Sequence, residues 1–118
     1  MPRIVIAMGR KNAALMIHIE ELIRAMRIPD LIVLCATNQA AALEAVASSP
    51  AADLAICDWS VQGFPRKIKR ASPKTRVILT GCMAPPSAHG ADEFVRTRPF
   101  DDSHMEAAVR RLLATSGP

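Results

Sequence analysis

The sequence predicts an α/β fold, a doubly wound five-stranded parallel sheet, and three observations carry that expectation. Short aliphatic or β-branched runs recur along the chain, each bounded by turn or polar residues as buried strands are. Segments with apolar residues at helical spacing separate them, and strands joined through helices pair in parallel by right-handed crossovers. The runs are also apolar nearly throughout, without in-out alternation, which fits a sheet covered on both faces.

The first run, residues 3–8, reads RIVIAM and ends at Gly9. Leu15, Ile19, Leu22, Ile23 and Met26 then fall at helical spacing, with Asn12 as the predicted N-cap. His18 shares the face of Leu15 and Leu22, so the pattern predicts a packed histidine. The second strand covers 31–36, and Asn38 is placed to cap a helix over 39–48. The third strand covers 53–58. A helix from Phe64 to Ala71 follows, with Pro65 tolerated in its first turn. The fourth strand is 76–80 and the fifth 93–97, ending at Arg98 and Pro99. The last helix starts at Asp101, a good capping residue, and carries Met105, Ala108, Val109, Leu112 and Leu113 on one face.

Composition bounds the function. At 118 residues, half of them hydrophobic and 22% charged, residues 1–118 are expected to form one domain with its own core. The opening apolar run is too short to cross a bilayer and lacks a signal-type cleavage site, which predicts a cytoplasmic protein with no membrane partner. Cys35, Cys57 and Cys82 are odd in number and show no CxxC spacing, so they are read as small buried thiols and not as a metal site or disulfide framework. Net charge is +4, with Arg66, Lys67, Lys69, Arg70, Lys74 and Arg76 close together. With no aromatic interleaved and no helix-turn-helix pattern, this cluster is read as a solvated helix face, leaving nucleic acid to a separate effector domain.

In doubly wound sheets function gathers at the carboxyl ends of the strands, here Met8 to Lys11, Thr37, Asp58, Thr80 and Arg98. No Ser/His/Asp or Cys/His set assembles there, because no histidine follows a strand end directly, and His89 and His104 are too isolated to form a metal site with His18; no enzyme activity is expected. Gly9, Arg10 and Lys11 precede a helix N-terminus, a natural anion site, although a lone glycine lacks the spacing of a phosphate-binding loop.

At these same positions the chain resembles the receiver domain of bacterial response regulators over essentially its whole length. Asp53-Leu-Ala-Ile-Cys-Asp58 is similar to the third strand ending in the phosphoacceptor aspartate, and Arg76-Val-Ile-Leu-Thr80-Gly81 to the fourth ending in the hydroxyl residue. Gly90-Ala-Asp92 and Arg98-Pro99-Phe100 resemble the family's GAD and KPF segments, and Ala42-Leu43-Glu44 its second helix. The resemblance implies strand order 2-1-3-4-5, a two-component signalling role and a cis Arg98-Pro99 bond.

The departures imply a degenerate pseudo-receiver. Where the family carries the acid pair that holds Mg²⁺, this chain has Met8, Gly9, Arg10 and Lys11, so Mg²⁺ binding is expected to be weak or absent. Arg98 replaces the family's lysine. Only Met83 to Asp92, with Pro85 and Pro86, lie between the fourth and fifth strands, too few for a full fourth helix. The aromatic switch position maps to Val95, beside Phe94, and these two residues with Trp59 are the candidates for partner contact. One expectation is that Arg10, Lys11 or Arg98 supplies the charge Mg²⁺ would have brought to Asp58. Expected partners are a histidine kinase, an effector domain or a second copy of the chain. Two other readings remain: a working receiver phosphorylated on Asp58, and an anion or nucleotide sensor.

Overall fold

In the computed structural model, which describes residues 2–48, 50–59, 63–82 and 90–115, the apolar runs form five strands: β1 (Arg3–Ala7), β2 (Ile32–Ala36), β3 (Leu54–Cys57), β4 (Arg76–Gly81) and β5 (Glu93–Arg96). All neighbours pair in parallel, in the order β2-β1-β3-β4-β5. The helices are α1 (Ala13–Ala25), α2 (Gln39–Ala47), α3 (Phe64–Ala71) and α4 (Asp102–Thr115). Among the described residues no helix lies between β4 and β5; the expected shortening of that connection, like His89, falls mostly outside them.

Strand alternation sorts the core into two halves. Ile4, Ile6, Leu54, Ile56, Ile78 and Val95 face Met16, Ile19 and Ile23 of α1 and Met105, Ala108 and Val109 of α4. On the other side Val5, Ala7, Ala55, Cys57, Val77 and Leu79 face Ala42 and Val46 of α2 and Phe64 and Ile68 of α3. The central strands β1, β3 and β4 are buried on both faces, as their unbroken apolar sequences require.

β2 departs from the expected cover. It is an edge strand with a neighbour on one side only, and Leu34 and Cys35 are exposed. Cys82 is exposed as well, so only Cys57 is the buried thiol the sequence predicts. His18 also differs: Met16, Ile19 and Ile23 form the buried stripe of α1, and His18 lies just outside it, exposed, against Asp102 at 2.8 Å and edge-on to the Phe100 ring. The apolar residues of α1 keep helical spacing, but the packed face is rotated away from the histidine.

Helix ends follow local chemistry. Asn38 Oδ1 accepts from the Ala41 N–H at 2.8 Å, and Asp101 Oδ1 accepts from the Ser103 and His104 N–H groups at 2.9 and 3.2 Å. Pro65 sits in the first turn of α3, where its missing N–H costs nothing. At the other end of that helix the buried Thr75 hydroxyl donates to the Ala52 carbonyl at 2.7 Å and shares a hydrogen bond with Ser72.

Gly90 is demanded by the backbone. Its φ is +86°, and a Cβ there would lie 2.6 Å from Cγ of Arg66. Gly90→Ala is expected to cost about 1–2 kcal/mol, from the left-handed conformation and the displaced arginine together. Urea denaturation checks this, and a variant as stable as the parent contradicts it.

Candidate functional site

The carboxyl ends of β1, β3 and β4 open onto one cavity of about 650 Å³, lined by Gly9, Lys11, Asn12, Leu15, Asp58, Trp59, Thr80, Gly81, Cys82, Thr97 and Arg98. The sequence-predicted residues Gly9, Lys11, Asp58, Trp59, Thr80 and Arg98 thus share one wall or another of the same space.

Asp58 follows the last residue of β3 and is held by uncharged donors. The Gly9 N–H points at both carboxylate oxygens, at 3.2 and 3.3 Å, and the Asn12 side-chain amide donates to Oδ2. Hydrogen bonds to an ionised acceptor are worth about 1.5–3 kcal/mol each. This explains why Asn12, predicted as the N-cap of α1, makes no capping bond: its side chain is engaged by Asp58. A short 3-10 turn, Arg10–Asn12, supplies the geometry by carrying Asn12 back over the end of β3. Neither residue type nor spacing marked Asn12 as a site residue; only the turn between β1 and α1 brings it there.

The expected cationic partner is not found. None of the ion pairs among the described residues includes Asp58. Arg10 is exposed and off the cavity, whereas Lys11 and Arg98 line it without reaching ion-pair distance. Neutral donors on the β1–α1 turn are nearer than either long side chain, so a solvated lysine and arginine gain little by closing on a carboxylate that is already satisfied.

The residues in place of the acid pair divide by role. The Met8 side chain is fully buried in the core, and Gly9 gives its N–H to Asp58. A hard divalent cation seeks several oxygen ligands. Here the sole carboxylate on the cavity wall, among the described residues, faces an N–H donor, an amide and a lysine. That donor set does not fit Mg²⁺.

Thr80 is 2% exposed, and its hydroxyl donates to the Cys57 carbonyl at 3.2 Å, the backbone role common for strand-end hydroxyls. Burial, and next the Asp58 charge, push the Cys57 thiol up to about 12, so it stays protonated at neutral pH. Trp59 is half-buried and stacks edge-on over Phe64, centroids 4.9 Å apart at 85°, covering the start of α3. Phe94 is half-buried against the same half of the core.

Val95 is a correction. It is fully buried on the α4 side of β5, so it contacts no partner; strand alternation sends Phe94 and Val95 to opposite faces. The Arg98-Pro99 peptide is cis, as the resemblance implied.

No family model and no curated protein matches this sequence. Solved structures do. A putative pilus assembly protein from Burkholderia thailandensis is 17% identical, with 97% of this chain and 99% of that one covered and a TM-score of 0.74. A response regulator receiver modulated diguanylate cyclase from Pelobacter carbinolicus is 21% identical over 98% and 95% of the two chains, with a TM-score of 0.76. A two-component response regulator from Clostridium difficile is 14% identical over the full length of both, with a TM-score of 0.77. Taken with the all-parallel sheet of order β2-β1-β3-β4-β5, these matches show that the chain has the fold of response regulator receiver domains.

Proposed function

We propose that this chain is a receiver-type signalling module that works through contact with a protein partner in one fixed conformation, without phosphotransfer of its own. The observation that carries the reading is the state of Asp58, satisfied by the Gly9 N–H and the Asn12 amide where a metal-dependent receiver needs carboxylates. Thr80, bonded to backbone, and Val95, locked in the core, leave no moving hydroxyl–aromatic pair to relay a phosphoryl signal. A histidine kinase, an effector domain or a second copy of the chain fits such a module as partner, and a cytoplasmic location goes with it. The likeness to a pilus assembly protein and to a receiver that modulates a cyclase supports a role in controlling an attached or bound effector.

A second reading has one observation in its favour: the cavity beside Asp58 is open and has Lys11 and Arg98 on its wall, as a phosphoryl group or a small phosphorylated ligand would need. One titration separates the two. Isotopically labelled protein is mixed with millimolar Mg²⁺ and then with beryllofluoride, and the amides of Gly9, Asp58, Thr80 and Arg98 are followed. No concerted shift is the expected result. If these amides move together and saturate, Asp58 is a working acceptor and the phosphotransfer-free reading is wrong.

A further inference from the structure

Charge along this chain is segregated. Residues 59–91 contain no Asp or Glu and six cations, while the remainder carries nine Lys and Arg against eleven acids. Arg66, Lys67, Lys69 and Arg70 lie on α3, Lys74 on the turn after it and Arg76 at the start of β4. Lys69 and Arg76 are drawn inward to Asp92, at 2.6 and 3.5 Å. Arg66, Lys67, Arg70 and Lys74 are exposed. Among the described residues no ion pair involves Lys67, Arg70 or Lys74, and Lys67 reaches only the neutral Gln39 amide, at 3.5 Å.

What the patch lacks indicates its partner. The large apolar side chains of α3, Phe64, Pro65 and Ile68, are buried in the core, and the exposed large hydrophobics among the described residues, Ile17 and Leu34, lie elsewhere. A specific protein interface has an apolar or aromatic centre, and a membrane-binding helix needs an apolar face to sink into the interface. Among the described residues this surface offers charge with only the small Ala71 and Pro73 exposed between the cations, which suits contact with a sugar-phosphate backbone. The domain's pI of about 9.4 fits the same footprint.

We propose that α3 and the turn through Lys74 form a sequence-independent contact surface for the phosphate backbone of a nucleic acid. Eight helical residues span about 12 Å, so the surface engages roughly three or four phosphates and reads no base edges. Binding is accordingly weak and steeply salt-dependent. The inference uses no feature of the Asp58 cavity and stands or falls separately from it.

The test is fluorescence anisotropy of the full chain with a labelled mixed-sequence DNA duplex of about 20 base pairs, from roughly 50 to 200 mM NaCl. A slope of log K against log salt of about −2.7 to −3.6 is expected, and it should be the same for a second, unrelated sequence. Arg70→Glu should weaken binding about tenfold or more. Arg110→Glu, an equal change in net charge at an exposed position of α4 across the sheet, should change it less than about twofold. Equal losses in the two variants, or no binding at the lowest salt, overturn the proposal. So does tighter binding, lost in Arg70→Glu, of a poly-glutamate peptide or of phosphatidylserine vesicles, which would make the patch a protein or membrane contact.

Discussion

Phe64→Ala is expected to destabilise the domain by about 3–5 kcal/mol, the range for truncating a fully buried aromatic. At this chain length roughly 4 °C of melting temperature goes with each kcal/mol, so the midpoint should fall by about 12–20 °C. The effect is large because Phe64 serves two purposes. It fills the core between β3, β4 and α3, and its ring is the surface on which Trp59 stacks at the rim of the cavity. Trp59 is the only tryptophan, so its fluorescence reports directly on that contact. The variant's folded-state emission should shift to the red as the indole loses its cover, whereas Phe64→Leu, which keeps most of the volume, should lose much less stability. An alanine variant with parental melting temperature and emission would show that neither the core nor the cavity rim depends on this ring.

Asp92→Ala is expected to cost about 2–3 kcal/mol at neutral pH. The carboxylate ties three elements together: it accepts from Lys69 Nζ of α3 at 2.6 Å and from the Val77 N–H of β4 at 2.7 Å, and Arg76 lies 3.5 Å away, while its own N–H donates to the Val77 carbonyl. Removing it leaves the Val77 N–H without its side-chain acceptor and takes a carboxylate from beside Lys69 and Arg76; because all three charged groups keep some contact with water, the loss falls below that of a fully buried pair. Burial alone raises the Asp92 pKa, but the Lys69 and Val77 hydrogen bonds and the charges of Lys69 and Arg76 outweigh it and hold the carboxyl below the ordinary aspartate value. The unfolded chain therefore binds this proton more tightly than the folded one. The stability Asp92 contributes is fully present above the ordinary value of about 3.9 and is lost as the pH falls below it through the depressed folded value. Denaturation of parent and variant between pH 7 and pH 2.5 should show a constant gap down to about pH 5 that narrows below pH 4. A gap independent of pH would mean that the loss is steric and not electrostatic.

Gly90-Ala-Asp92 shows how far motif and physics agree. As sequence it was one of several segments resembling a receiver; as structure it is a left-handed glycine packed on Arg66 followed by the carboxylate that ties α3 to β4. The strands and helices were legible because apolar runs and helical spacing are local signals, and the boundaries moved only by a residue or two, as at Met8, Asp58 and Thr97. Those shifts fall at strand ends, where the chain leaves the ladder and side chains turn to other partners.

The misreadings have a shared cause. Helical spacing places His18 on a packed face, residue type makes Cys35 a buried thiol and motif alignment makes Val95 a switch position, but each is decided by how one element rotates or sits against its neighbour: α1 turned so that His18 meets Asp102, β2 left at an edge, and β5 alternating so that Val95 enters the core. The local sequence of Asn12 describes a helix cap, and the cavity contact it makes instead is not local.

The order of apolar runs and turn residues was enough to determine the parallel α/β fold and to put Asp58, Thr80 and Arg98 at strand ends, because burial periodicity is written residue by residue. Which groups satisfy Asp58 was decided only by tertiary structure, since the Gly9 N–H and the Asn12 amide meet it across 49 and 46 positions of sequence. A carboxylate takes the donors that the packed backbone brings within hydrogen-bond reach, and no local pattern encodes that distance.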